Sequence, residues 1–325
     1  MPILPLEERA ALDPEDFSQA FLLQNCPVIM RRAIAHWPAV QKWSPEYLRM
    51  MVEGAKVVIQ SKSDYGLSGS KRHFEESKEV DFAKVVDMMT LDDAPDMSYV
   101  RQTRVWKDIA ALVDDIQPLR YGPANLATTD GNLWIGPAGT IAQMHWDPGH
   151  NLFAQIRGEK KWILVPPSES HMTYGNKFSL SEIVRDSLIR ERFPALVENM
   201  EKIMASSANL EDLVNSGFND SERRLLYSWL AQMNNCDVNA EEPDLEKTPL
   251  FLAAHRYVGT LSAGDLMFIP FGWRHYVRSM SASISMNWFF VPQQRLPPEL
   301  NINRTLLEHL SRSPKINRRT ARRIP

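Results

Sequence analysis

Three side chains of this sequence have the types and spacing to hold one metal ion. His145 and Asp147 stand two residues apart in the run Gln143-Met144-His145-Trp146-Asp147. Side chains of a strand alternate between its faces, so an imidazole and a carboxylate at that spacing share one face. They can then grip an ion from the same side. A third donor comes much later, where Phe268-Ile269-Pro270-Phe271-Gly272-Trp273-Arg274-His275 sets a histidine after an apolar stretch and a Pro/Gly turn. Two imidazoles and one carboxylate suit Fe(II) and leave three coordination positions open to other ligands. Taken singly these signals are weak: a His-x-Asp is commonplace, and a histidine beside an apolar strand is ordinarily a packed or surface residue. The order in which they come carries the weight: His-x-Asp on a strand, then Lys160, then a histidine after Pro and Gly ahead of a last pair of strands.

Several β elements must position these groups. Residues 133–135 and 140–147 read as strands, and a turn at Pro148-Gly149 leads into 151–157. Gly158-Glu159 turns again into 160–165, which Pro166-Pro167 stops. Strands resume at 256–261, turn at 262–265, and continue as 266–269, 276–280 and 283–291. About eight strands with a doubly ligating strand near the mouth make a double-stranded β-helix, the jelly-roll architecture of the cupins. The fold class is therefore mainly β with α. Residues 1–125 form an N-terminal α/β collar, and 126–292 the barrel. A helical insert at 168–250 enters between the fourth and fifth barrel strands, close to the site mouth. Residues 293–325 hold a C-terminal helix and a basic tail.

Within the collar, Asp13-Pro14-Glu15-Asp16 and Ser44-Pro45 are helix starts, with a capping residue followed by proline at the first helical position. Ile109, Leu112, Val113 and Ile116 fall at i, i+3, i+4 and i+7, so an α-helix is predicted there. In the insert, Ser179-Leu180-Ser181-Glu182 is a capping box. The stripes Leu196, Val197, Met200, Ile203, Met204 and Leu225, Leu226, Trp229, Leu230, Met233 are helical packing faces. A long insert at such a place serves as a lid or substrate platform, or as an oligomer contact. Residues 234–249 are polar and acidic and read as a linker back to the sheet.

The stretch around these ligands resembles the JmjC or cupin-8 branch of Fe(II)/2-oxoglutarate oxygenases, and within it the asparaginyl hydroxylases of the factor-inhibiting-HIF type. The likeness spans roughly residues 27–292 and is specific around Tyr99, 134–167 and 259–291. It implies a metal triad of His145, Asp147 and His275. The run Asn151-Leu152-Phe153-Ala154-Gln155-Ile156-Arg157-Gly158-Glu159-Lys160 matches a family segment, with Leu152 in place of an aromatic. Lys160 would hold the distal carboxylate of 2-oxoglutarate, Asn151 and Asn287 would line the cosubstrate site, and Tyr99 would reach the cosubstrate too. The family often has a threonine three residues before the first ligand; Ala142 stands there in this chain, and Thr140 is the substitute on the same face. The cofactors so implied are Fe(II), 2-oxoglutarate and O2. Arg101 and Arg274 are candidate substrate contacts. Trp134, Trp146, Trp162, Trp273 and Trp288 flank the strands and read as barrel core.

Composition narrows the remaining choices. A chain of 325 residues can bury a full core. Its net charge of −3 favours no particular partner in bulk. From Asn301 onward, however, seven basic side chains face Glu308 alone, a tail that would suit nucleic acid or an acidic partner. Cys26 and Cys236 lack ligand spacing, which suits a reducing compartment. With no signal peptide and no apolar run of membrane-spanning length, a cytoplasmic location is expected. His150 and His255 are weaker metal candidates. The function expected is hydroxylation of an unactivated C–H bond, with a protein or peptide as substrate. A tRNA base or a small molecule stays open, as do a non-oxidative metal cupin, a metal-free binding module and a lysine demethylase. The Leu306, Leu307, Leu310 stripe would allow a homodimer.

Overall fold

The computed structural model describes residues 3–60, 78–89, 99–123, 131–147, 149–175 and 238–290, together with single positions between 126 and 236. The polar loop expected at 61–73, the capping box at 179–182, most of the helical stripes of the insert, and everything from 291 onward lie outside these residues. The basic tail and the leucine stripe are therefore outside them as well. Among the described residues no helix is long and apolar enough to cross a membrane.

The chain opens with β1 (Ile3–Pro5), β2 (Glu8–Ala10), α1 (Pro14–Phe17) and β3 (Val28–Arg31). Next come α2 (Pro38–Lys42), α3 (Pro45–Met51), β4 (Lys56–Gln60), β5 (Lys78–Asp81), α4 (Phe82–Met89), β6 (Tyr99–Arg104) and α5 (Val105–Asp108). Asp13 caps α1 by accepting from the Glu15 N–H at 3.0 Å, and the Ser44 hydroxyl caps α3 by accepting from Tyr47 N–H at 3.2 Å. The barrel strands are β7 (Asn132–Gly136), β8 (Ile141–His145), β9 (His150–Arg157) and β10 (Lys160–Val165), then β11 (Arg256–Leu261), β12 (Leu266–Ile269), β13 (Arg274–Ser279) and β14 (Ser283–Phe290).

These eight strands close as two sheets of antiparallel neighbours, β7-β14-β9-β12 and β8-β13-β10-β11. This is the double-stranded β-helix that the sequence pattern predicts. The N-terminal strands extend the sheets. β6, β4 and β5 continue one sheet beyond β7, β3 and β2 continue it beyond β12, and β1 lies parallel beside β11. Partnered strands leave fewer bare edges to be protected. β10 and β11 pair directly, Lys160 opposite Leu261, although the chain from 166 to 255 runs between them.

Three apolar layers result. Phe153, Trp162, Leu164, Leu261, Met267, Trp273 and Val277 fill the barrel interior. On the outer face of the larger sheet, Leu152, Ala154, Phe268, Met286 and Trp288 pack against Phe17, Trp37, Trp43, Leu48 and Val85 from the helices. A sheet covered on both faces needs apolar side chains at successive positions, and β9 is buried from His150 through Ile156. A third cluster, with Met144, Ile163, Val165 and Tyr276, covers the outer face of the smaller sheet.

Two local expectations are corrected. Residues 110–115 form a 3₁₀ helix where an α-helix was predicted. Its three-residue period stacks Ile109, Leu112 and Asp115 on one buried row. Asp115 is the reason: its carboxylate accepts from Lys42 Nζ at 2.9 Å, Trp43 Nε1 at 3.1 Å and Tyr47 OH at 2.5 Å. The second correction concerns 234–249. Cys236, Val238 and Ala240 are buried in the third cluster, so the linker begins as packed chain, whereas its residues 244–247 are exposed. Glu241 pins it by accepting from Lys161 Nζ at 2.8 Å, Tyr276 OH at 2.8 Å and Arg278 at 2.7 Å.

By its contacts the chain divides into two compact units, residues 1–174 with 236–294, and residues 175–235 with 295–325. The ends of the expected insert, 168–174 and 236–250, thus belong with the barrel. In the second unit the described positions Arg190, Val197 and Glu201 are helical, and Arg190 pairs with Glu201.

Candidate metal centre

His145 ends β8, and its Cα partner across the sheet is His275 on β13. Between this pair and the pairing of Val277 with Ala142 the register slips by one residue. One residue of β13, Tyr276, faces two of β8, Gln143 and Met144, a β-bulge, and such bulges re-aim side chains beside active sites. This one lets Ala142 and His145, three apart, share the interior face. The other ligand strand is set by a turn. Trp273 N–H donates to Pro270 O at 3.3 Å, and Gly272 takes φ +82°, a conformation that favours glycine. Neighbours hold this turn from two sides. Trp273 Nε1 donates to Asn25 O at 2.8 Å, and Phe271 N–H donates to His150 Nδ1 at 3.0 Å. His150 is thus a buried prop, wedged between the rings of Phe268 and Phe290, and not a ligand.

The donors converge. One nitrogen or oxygen from each of His145, Asp147 and His275 lies within 4.8 Å of the others. His275 Nε2 is 3.4 Å from one Asp147 oxygen, and His145 Nε2 is 4.0 Å from the other. Metal–donor bonds of about 2.0–2.2 Å put neighbouring donors about 3 Å apart, so a small inward movement closes this set on one ion. Tautomers are fixed from behind. His145 Nδ1 lies 2.6 Å from Gln143 O and His275 Nδ1 lies 3.0 Å from Trp273 O. A carbonyl only accepts, so each Nδ1 carries a proton and Nε2 is the nitrogen left to face the centre. Burial works against a charge on Asp147, but His275, His145 and the Asn151 amide outweigh it and hold the carboxyl below the ordinary carboxylate range. It is a carboxylate at any physiological pH, as a hard-metal donor must be.

The interior beyond the triad suits an anion. Lys160 is 2% exposed, and its ammonium stands 5.2 Å over the Phe153 ring. Burial pulls its pKa down to about 7. Gly158 fixes where β10 begins: at φ +73° its Cβ would sit 2.2 Å from Ala282 O. Trp162, two residues along the same face, packs edge-on to Phe153 at 4.8 Å and lies 5.9 Å from the His275 ring. Its buried indole N–H has no hydrogen-bond partner among the described residues. A buried positive charge and an indole donor in a dry interior suit an anionic ligand.

Residues 14–295 match the protein family described as Cupin-like domain. The chain belongs to that family. Among similar proteins of this cupin-like chain are "Lysine-specific demethylase JMJ30" of Arabidopsis thaliana, 26% identical over 88% of this chain and 54% of its own length. "Lysine-specific demethylase 8" of Xenopus tropicalis is 26% identical over 85% of this chain and 50% of its own length. The human "Bifunctional peptidase and (3S)-lysyl hydroxylase JMJD7" is 22% identical over 85% of this chain and 81% of its own length. This chain therefore spans about half the length of the first two relatives.

In this cupin-like barrel the other expected site residues fall in different places. Asn151 and Asn287 are buried in the interior, and Asn151 Nδ2 donates to Asp147 Oδ2 at 3.2 Å. Thr140 is buried with its hydroxyl 2.8 Å from Ser279 Oγ and 3.2 Å from Pro137 O. Since Ser279 is the Cα partner of Lys160, Thr140 joins the row that ends on the lysine. Ser279 itself gave no sequence signal. Tyr99 and Arg101 lie on β6, but their side chains are outside the described residues. Arg274, next to His275 on the strand, faces the other way, and its guanidinium lies 5.9 Å over the Trp146 ring. His255 pairs with Glu169 at 2.7 Å on the surface.

Proposed function

We propose that this cupin-like chain is an Fe(II)- and 2-oxoglutarate-dependent oxygenase that hydroxylates a protein side chain. The observation that carries this reading is a two-histidine, one-carboxylate donor set sharing an interior with a buried lysine. Iron and 2-oxoglutarate bound there supply, with O2, the oxidising power to hydroxylate an unactivated C–H bond, giving succinate and CO2 as coproducts.

The chain's own residues do the placing. His145, Asp147 and His275 would hold the metal and leave coordination positions for other ligands. On β13 four residues, about 13 Å of strand, separate His275 from Ser279, the row of Lys160. Lys160 would make a charge-assisted bond to the far carboxylate of 2-oxoglutarate and so orient the cosubstrate. Phe153, Trp162 and Leu164 line the way and exclude water. His145 and Asp147 are about a fifth exposed where His275 is buried, which puts the open side of the centre toward incoming substrate.

The names of two relatives point to lysine side chains, so lysyl peptides are the first substrates to try; the asparaginyl resemblance in the sequence makes asparaginyl peptides the second. The test measures succinate released from 2-oxoglutarate with and without Fe(II), in wild type and His145→Ala. Mass spectrometry of cell extract treated with each then finds peptides that gain one oxygen. Iron-dependent succinate that disappears in His145→Ala is expected. No iron-dependent succinate from wild type under any peptide supplement overturns the reading. Loss of a methyl group in place of gain of oxygen would move it to demethylation.

A further inference from the structure

Asp147 is the last member of a hydrogen-bonded chain whose direction has no freedom. Trp134 Nε1 donates to Asn287 Oδ1 at 2.8 Å, Asn287 Nδ2 donates to Asn151 Oδ1 at 2.9 Å, and Asn151 Nδ2 donates to Asp147 Oδ2 at 3.2 Å. An indole nitrogen only donates and a carboxylate only accepts. With a donor-only group at one end and an acceptor-only group at the other, both amides between them have a single workable orientation. Three strands contribute: Trp134 from β7, Asn287 from β14 and Asn151 from β9. Asn287 and Asn151 are 1% and 3% exposed, so water cannot compete for these bonds.

We infer that Trp134 is a positioning residue for the metal-binding carboxylate: its N–H sets the polarity of the two buried amides and so presents an N–H, never a carbonyl, to Asp147. This goes beyond the proposed function but rests on its metal site. It also separates two roles for the asparagines. As links of this chain they fix Asp147 and govern metal affinity. As direct cosubstrate contacts they would govern 2-oxoglutarate affinity and leave the metal alone.

Asn287→Asp is the sharpest variant because it keeps the shape and reverses the polarity. With two acceptor oxygens at 287, Asn151 must turn its amide nitrogen toward that residue and its carbonyl toward Asp147. Trp134→Phe removes the initiating donor. Trp43→Phe is the control for lost stability, since its indole N–H bonds Asp115, far from the centre in the hydrogen-bond network. The full chain is titrated with Co(II) alone, followed by its visible absorption. The Co(II) Kd should rise about 10–100-fold in Asn287→Asp and about tenfold in Trp134→Phe, and stay put in Trp43→Phe. Wild-type Co(II) affinity in Asn287→Asp, with or without a higher KM for 2-oxoglutarate, overturns the inference, as does failure of wild type to bind Co(II). Should Trp134→Phe not fold, Asn287→Asp decides alone. Co(II) binding needs no turnover, so absent succinate with the expected affinity pattern would sink the oxygenase reading and leave this one standing.

Discussion

Replacing Lys160 by methionine should make the protein without metal or ligand more stable below neutral pH. An ammonium in water titrates near 10.4, and burial brings this one to about 7. The folded state therefore holds fewer protons than the unfolded chain between those two values. Unfolding free energy then rises with pH through that window, at about 1.36 kcal/mol per unit. Below pH 7 both states are protonated, and the penalty of the buried charge is fully present, about 4 to 5 kcal/mol in all. Lys160→Met has no charge to bury and nearly the same length. Its advantage over wild type should be largest at pH 6 and shrink steadily from pH 7 to pH 10. Urea unfolding of both proteins at pH 6, 8 and 10 measures it, the difference between them cancelling every other titrating group. Addition of 2-oxoglutarate with Mn(II) should stabilise wild type and leave the variant unmoved. A gap between the two proteins that ignores pH, or a variant weaker at pH 6 than at pH 10 relative to wild type, would refute the reasoning.

Other expectations follow from the same packing. Gly158→Ala should cost about 1–3 kcal/mol in urea unfolding, because the added carbon meets Ala282 O at positive φ, and should raise the 2-oxoglutarate KM by displacing the start of β10. Glu241→Gln should lower stability by about 1–2 kcal/mol at pH 7, since three donors converge on a partly exposed carboxylate. Burial disfavours that carboxylate, but Lys161, Arg278 and Tyr276 outweigh it and hold it down to about 2; its contribution is therefore present above the ordinary glutamate range and lost as pH falls from there toward 2. The stability gap between Glu241→Gln and wild type should accordingly close in acid. Arg274→Ala should leave Co(II) affinity within about twofold of wild type, because the side chain faces away from the donors; a tenfold loss would mean that its packing on Trp146 aims Asp147.

What the sequence revealed depended on how local the determining contact is. His145 and Asp147 announce themselves by spacing, and His275 by the Pro270–Gly272 turn, because each of those signals lies within a few residues. The bulge that turns Ala142 to the same side as His145 is written in the pairing of β8 with β13, strands far apart in the chain. Residues 109–116 carry an α-helical period and fold as 3₁₀ because Lys42, Trp43 and Tyr47 claim Asp115 from a distance. At 234–249 the acidic residues drew attention from the alternation of Cys236, Val238 and Ala240, a period of two that marks a packed extended segment. Trp134 reads as barrel filling because its partner Asn287 lies 153 residues further along the chain.

The strand that supplies the first metal ligand lies on the margin of its sheet, with β13 on one side only. A margin of bare amides and carbonyls invites foreign backbone, and a strand recruited there would drag His145 with it. The returning chain answers this: Cys236 N–H donates to Met144 O at 2.8 Å, one residue from the ligand, and Glu241 ties the same segment to the neighbouring strands. This short hem keeps the edge that carries His145 closed from the side opposite β13.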